Sequence, residues 1–264
     1  MWTAWVSLLV LALLCFSAAA GFYGNSFLAE THRSSDSMEL MQSAITLLVT
    51  FVAIVLGLMT NSVKNGFDSA YGARAAYAGE LAQFGRCLSN YGPETDHMRE
   101  QLKAYVAAVI ASTWPNEPPP TGVTYPDTSH MARTGESSVL ATLLNDVGFE
   151  LHSLQPPDEL HRNLLAACTE QYAQVQTRRW NVIEGVRGSI SLPFFWVLLF
   201  WLVVLFASFG LRAPPNRMSV IILGLCAICV SLAVFVIVDL NMPYGGFFGI
   251  PSMTMRNALA DLMQ

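Results

Sequence analysis

The chain has 264 residues, of which 53% are hydrophobic and 12% are charged, and its formal net charge is −5. Soluble proteins carry about 25% charged residues, so this composition excludes an ordinary soluble domain and indicates an integral membrane protein. A chain with a negative net charge also lacks the basic surface that nucleic-acid binding requires. We therefore expect the lipid bilayer as a partner and no nucleic acid.

The first apolar run, Trp5 to Phe22, admits two interpretations. It is long enough for a membrane helix, but it closes with Ala18-Ala19-Ala20, a run of small residues that resembles a signal-peptidase site. A retained helix and a cleaved signal segment are both open. In either case we expect the polar stretch of residues 25–40 on the outer side of the membrane.

Three further apolar runs follow at 41–59, 192–211 and 218–240. Each is near the ~20 residues that a hydrocarbon core of about 30 Å requires. Between the second and third runs lies a polar stretch with the apolar spacing of helices and no convincing strand pattern. The sequence therefore predicts an all-α integral membrane protein with four transmembrane helices and a cytoplasmic helical domain inserted between spans two and three.

In chain order we expect membrane helices one and two over 1–61, the cytoplasmic helical domain over 62–191, membrane helices three and four over 192–240, and a cytoplasmic tail over 241–264. The cytoplasmic side is assigned because more Lys and Arg residues flank the spans on that side. That side carries Lys64, Arg74, Arg178, Arg179, Arg187 and Arg256, and the other side carries Arg33, Arg212 and Arg217.

The second span carries a stripe of small and polar residues along one face. At about 100° per residue, Thr46, Thr50, Gly57, Asn61 and Lys64 fall on the same side of one continuous helix. A spanning helix turns such a stripe away from lipid, toward other helices or toward a water-filled path. Close helix packing explains the small residues equally well, and a solvated helix exit explains Asn61 and Lys64. The residues alone leave the role of the stripe open.

No arrangement of residues indicates an enzyme. The sequence lacks GxSxG, Walker and GxGxxG motifs, and its five histidines show no HExxH spacing, so we expect no catalytic site, no cofactor and no metal. The five cysteines show no metal-ligand spacing, and we expect no disulfide bonds.

Several short motifs, taken in order, resemble the bestrophin-like family of bacterial membrane proteins. They are Thr60-Asn61-Ser62 after the second span, Tyr105 through Trp114-Pro115, Arg178-Arg179 ahead of Pro193 and Trp196, and Asp239-Leu-Asn-Met-Pro-Tyr-Gly-Gly after the fourth span. The resemblance covers nearly all of the chain. It implies a likeness to bestrophins, which are pentameric anion channels with a pore lined by the second membrane helix.

On that resemblance we expect an oligomeric, bestrophin-like channel or pore in the bacterial inner membrane that conducts an inorganic anion. It would be a homo-oligomer, a pentamer if it follows the bestrophins, with Thr46, Thr50, Gly57, Asn61 and Lys64 facing the path. Lys64 would raise the local anion concentration at the cytoplasmic mouth. The alternative is a non-conducting membrane scaffold or partner-binding protein that works through its cytoplasmic helices.

Overall fold

The computed structural model of the chain is built from α-helices, and no strand occurs among the residues that it describes, which are 2–27, 35–131, 136–185, 192–214 and 216–264. The helices are α1 (Trp2–Phe27), α2 (Ser35–Tyr91), α3 (Asp96–Thr113), α4 (Ser138–Ser153), α5 (Glu159–Gly185), α6 (Leu192–Arg212), α7 (Arg217–Leu240) and α8 (Met253–Met263). The all-α prediction is confirmed.

Four of these helices, α1, α2, α6 and α7, are long and apolar enough to cross a membrane, which confirms the four predicted spans. The helices α3, α4 and α5 lie in the chain between the second and third spans. The second helix begins at Ser35 rather than at Met41, because it extends beyond the apolar run into the predicted loop. Arg33 and Arg187, which contributed to the predicted orientation, lie outside the described residues.

The second helix is continuous over 57 residues because no proline interrupts its sequence. It stops where Gly92 adopts a φ of 128°, a left-handed conformation that suits glycine, and Pro93 follows directly. The single hydroxyl proton of Thr95 is then shared between the carbonyl oxygens of Leu88 and Gly92, which lie 2.5 and 2.9 Å from Oγ1. This turn leads into α3.

The chain divides into two compact units. The first comprises Met1–Gly66, Ser189–Met242 and Gly246–Phe248, so it contains α1, the first half of α2, α6 and α7. Apolar side chains from all four helices form its core: Val10, Leu14, Val52, Met59, Val63, Leu198, Leu202, Phe206, Ala227, Val234, Ile237 and Val238.

Within the first unit, α1 and α6 approach each other closely at two glycines. A Cβ atom added at Gly21 would lie 2.0 Å from the carbonyl oxygen of Ala207, and one added at Gly210 would lie 2.0 Å from the carbonyl oxygen of Ala18. The two contacts are reciprocal, each glycine facing the backbone of the other helix. Small residues permit this kind of helix association in lipid, where no hydrophobic effect drives it.

The second unit comprises Phe67–Gly188, Pro243–Gly245 and Gly249–Gln264. Its core combines the second half of α2 with α3, α4, α5 and α8. The members include Tyr77, Phe84, Leu88, Leu102, Tyr105, Val106, Ile110, Leu144, Leu151, Val175, Met255, Leu259 and Leu262. The last three belong to α8, a short helix in the predicted tail.

A disulfide bond joins Cys87 of α2 to Cys168 of α5 within the second unit, with the two Cα atoms 5.6 Å apart. The expectation of no disulfide bond is therefore wrong. The two cysteines are separated by 81 residues, so no local spacing marks them as a pair, and only the packing of α2 against α5 brings them together. The described cysteines outside this bond, Cys15, Cys226 and Cys229, are free.

Candidate functional site on the second helix

One face of the membrane half of α2 is buried by its own chain. Val52, Met59 and Val63 pack into the core of the first unit with side chains of α1, α6 and α7. Their spacing of seven and four residues keeps them on one side of a helix. The burial fixes which face of α2 points outward.

The five predicted pore-lining residues lie on the outward face. Thr46, Thr50, Asn61 and Lys64 are exposed, and a Cβ added at the exposed Gly57 would meet no atom within 4 Å among the described residues. The continuity of α2 brings all five onto one stripe. Whether that stripe lines a pore stays a prediction.

The threonine hydroxyls of this stripe are already used inside the helix. Thr46 donates to the carbonyl oxygen of Gln42 at 2.9 Å, Thr50 donates to that of Thr46 at 2.9 Å, and Thr60 donates to that of Leu56 at 2.8 Å. Each hydroxyl oxygen keeps lone pairs that accept hydrogen bonds from water, but its proton is committed. Hence these threonines offer acceptors to a solvated path, and a preference for anions has to come from elsewhere.

A second exposed sector of α2 lies beside the stripe and is bulky and apolar. Leu47, Ile54 and Leu58 are 61%, 54% and 64% exposed. Phe51, 50% exposed, belongs to the same sector and packs its ring against Trp201 of α6 at 6.3 Å between centroids. The outward surface of α2 therefore has one side suited to water and one side suited to lipid or to another helix.

The second unit holds a buried arginine that the sequence analysis missed as a site residue. Arg74 of α2 is 5% exposed, and its guanidinium carbon lies 5.2 Å from the ring centre of Trp114 and 4.8 Å from that of Tyr244. Its Nε donates to the Tyr244 hydroxyl at 3.1 Å. Cation–π contacts of this kind stabilise a desolvated guanidinium. Trp114 and Tyr244 belong to motifs that the sequence analysis describes. Arg74 belongs to none of them, and only its charge distinguishes it in the sequence.

A second buried cluster joins two tyrosines to Arg179. The hydroxyls of Tyr77 and Tyr105 are hydrogen-bonded to each other, and Arg179 is 6% exposed, with Glu136 at 3.5 Å. Burial raises the pKa of Tyr105, and the hydrogen bond with Tyr77 and the positive charges of Arg179 and Arg74 only partly oppose that rise. The tyrosine is therefore neutral at physiological pH. Arg179, the buried residue of the Arg178-Arg179 motif, therefore has a structural role in this cluster.

The end of the fourth span is closed by Asp239, which belongs to the first unit. Its buried carboxylate accepts hydrogen bonds from the backbone N–H groups of Phe247 and Phe248, at 2.9 and 2.8 Å. Gly246 lies so close that an added Cβ would be 2.6 Å from a carboxylate oxygen of Asp239. Asp239 and Gly246, the acidic residue and a glycine of the motif after the fourth span, therefore both shape the turn that follows α7.

The described residues give no sign of a metal centre, because no three His, Cys, Asp or Glu side chains among them lie close enough together to hold an ion.

A model of the Bestrophin-like domain matches residues 12–255 of the chain. One variant of a bacterial bestrophin homolog from Klebsiella pneumoniae is 13% identical, with a TM-score of 0.68, and the alignment covers 99% of this chain and 97% of that chain. A second variant of that homolog is 14% identical, with a TM-score of 0.65 and coverage of 100% of both chains. A crystal structure of a membrane protein is 14% identical, with a TM-score of 0.67 and coverage of 97% of both chains. At such identities the likeness shows the fold alone. No curated protein gives a significant match.

Proposed function

The chain belongs to the Bestrophin-like domain family, and from that membership we propose that it is an oligomeric membrane channel for an inorganic anion, with a path lined by α2. One observation supports this above all. The small and polar face of α2 stays exposed after α1, α6 and α7 have packed against its other face.

Lipid is a poor cover for that face. Polar groups in contact with hydrocarbon cannot form the hydrogen bonds that they form in water, and ionisable residues near a span usually face a bundle interior or a water-filled cavity. Copies of the chain arranged around an axis would bring their stripes together, and water between them would solvate Asn61 and Lys64. The small Gly57 leaves room for such a path.

Lys64 is the residue that would favour anions. At roughly 10 Å in water a unit charge contributes about 0.4 kcal/mol, so about five copies contribute about 2 kcal/mol before screening. Screening at physiological ionic strength reduces this to under about 1 kcal/mol. Reversing the charge should therefore shift the local anion free energy by about 1 kcal/mol, which is a severalfold change in anion concentration at the mouth.

The test is chloride flux from liposomes that contain the purified protein. We expect flux above that of empty liposomes, and a severalfold lower chloride permeability for Lys64→Glu. The control is Lys103→Glu, which alters the only other lysine of the sequence, on α3, and should leave permeability unchanged. If chloride flux is unchanged in Lys64→Glu, Lys64 does not line the path. If flux from liposomes with the parent protein is no greater than that from empty liposomes, the protein is not a channel.

Water access distinguishes a path from a packed seam. In a background with all five cysteines replaced by alanine, Thr50→Cys and Gly57→Cys should react with a hydrophilic thiol reagent in membranes. Ile54→Cys, on the bulky exposed sector of the same helix, is the matched control and should react far more slowly. Equal protection at all three positions would identify the stripe as a packing surface.

The mass of the complex in mild detergent, corrected for bound detergent, tests the assembly. About five copies would support a ring of the bestrophin type around α2. A monomer or dimer that persists across detergents leaves the stripe no central path to line, and the non-conducting scaffold would then replace the channel.

We further propose that the protein lies in the bacterial inner membrane with its second unit in the cytoplasm, on the basis of the Lys and Arg distribution. The Cys87–Cys168 pair offers a direct test, because cytoplasmic thiols are kept reduced whereas disulfides persist outside. In intact cells, a thiol-alkylating reagent added as the protein is denatured should find both cysteines as thiols, and the disulfide bond of the structure would then describe the oxidised, purified protein. A fully oxidised pair would place the second unit on the opposite side.

A further inference from the structure

The loop after α7 exposes two adjacent phenylalanines. Phe247 is 82% exposed and Phe248 is 46% exposed, and their rings touch edge to face at 5.3 Å between centroids. No charged residue occurs between Asp239 and Arg256. An uncharged loop with exposed aromatic rings is poorly suited to water and marks a contact with another surface.

The two phenylalanines are held at the level where α7 ends. Asp239 lies in the last turn of α7, is 1% exposed, and accepts the backbone N–H groups of both phenylalanines. Two hydrogen bonds to a buried carboxylate fix the backbone of the pair against the end of the helix. Because α7 is long and apolar enough to span a membrane, we expect its end to lie at the boundary between hydrocarbon and headgroups.

The pair also continues an exposed apolar stripe on α7. Ile221, Leu225, Ile228 and Leu232 recur at spacings of four, three and four residues and are 63%, 61%, 46% and 57% exposed. Phe235 is next in this series, and its ring lies 6.4 Å from that of Phe248. The exposed apolar stripe of α7 therefore continues onto the loop through the contact of Phe235 with Phe248.

We propose that Phe247 and Phe248 form an interfacial anchor that inserts into the headgroup–acyl boundary of the bilayer, held in place by Asp239. Phenylalanine is among the apolar residues with which interfacial segments insert into this boundary. The level of Asp239, the lack of charge and the continuity with α7 all fit a lipid surface as the occupant. The inference depends on the membrane spans and not on conduction, so it stands or falls separately from the channel.

The experiment replaces Phe247 with the photoreactive analogue p-benzoylphenylalanine and irradiates native membranes. We expect a mass increase of one phospholipid, in a yield comparable to that of the same analogue at Phe200, which is 62% exposed in the middle of α6. The matched negative control is Phe149 of α4, which is 75% exposed in the second unit and should give a severalfold lower lipid yield.

Two results would overturn the anchor. A cross-linked dimer at position 247 would show that a second copy of the chain covers the pair, and an absence of adduct would show that water does. The role of Asp239 is tested in the same background by Asp239→Asn, which keeps one acceptor oxygen and loses the other. Lipid adduct at 247 should fall severalfold while that at 200 stays constant.

Gly246→Ala is a second variant with the same expected result, because its added Cβ would lie 2.6 Å from the carboxylate of Asp239. If both variants leave the adduct at 247 unchanged while that at 200 is also unchanged, Asp239 does not hold the anchor.

Discussion

Adding a methyl group at Gly21 or Gly210, the two glycines where α1 and α6 meet, should destabilise the protein. In Gly21→Ala the new Cβ would lie 2.0 Å from the Ala207 carbonyl oxygen. Ordinary carbon–oxygen contact is more than an ångström longer, and the obstacle is backbone rather than a flexible side chain. The two helices must therefore separate along this seam.

The expected cost follows from two opposing effects. Overpacking a close contact costs about 1–3 kcal/mol, and at this separation we expect the upper end. Replacing glycine by alanine within a helix returns up to about 1 kcal/mol. The net destabilisation should be about 2 kcal/mol, or roughly 4–8 °C in unfolding midpoint for a chain of this size.

The measurement is thermal unfolding in mild detergent. Gly224→Ala in α7 is the control, since its Cβ would meet no atom within 4 Å, and it should unfold no lower than the parent. Because one separation of α1 and α6 relieves both clashes, the double variant with Gly210→Ala should lose less than the sum of the two single losses. Equal midpoints for Gly21→Ala and Gly224→Ala would show that the contact between α1 and α6 accommodates the added methyl group.

Three further predictions concern the second unit. Cys168→Ser opens a loop of 81 residues and should lower stability by up to about 4.5 kcal/mol; reductant should destabilise the parent chain and not the variant, and an identical response would contradict a bond to Cys87. Burial raises the pKa of Tyr105 in the folded chain above its unfolded value of about 10. The contribution of the neutral tyrosine to the free energy of unfolding is therefore present below about pH 10 and is lost as pH rises toward the folded pKa. The fall in unfolding midpoint above pH 10 should therefore be smaller in Tyr105→Phe, and an unchanged pH profile would argue against it. Trp114→Phe removes the indole N–H that donates to the Ile250 carbonyl oxygen at 2.7 Å. Leaving that buried oxygen without a donor should cost about 1–3 kcal/mol in chemical denaturation, and a loss below about 0.5 kcal/mol would mean that the bond contributes little.

The features predicted correctly are those that depend on neighbouring residues. The spans follow from apolar runs, and the grouping of Thr46, Thr50, Gly57, Asn61 and Lys64 on one face of α2 follows from a helical period that no proline interrupts. A helix wheel separates Val52 from Thr50, but the burial of Val52 depends on how α1, α6 and α7 pack against α2.

The features that were missed depend on residues far apart in sequence. Nothing near Cys87 indicates Cys168 rather than another cysteine, and nothing near Arg74 indicates that it will stack on Trp114 and Tyr244. The close contact of Gly21 with α6 likewise depends on how two separate helices dock. Such pairings are fixed by tertiary packing, which periodicity in one segment does not encode.

The position of α8 in the sequence has a consequence for the order of synthesis. Its Met255, Leu259 and Leu262 complete the core of the second unit, yet they leave the ribosome only after α6 and α7 have been made. The core of the second unit therefore lacks these three side chains until the last two spans and α8 have been synthesised.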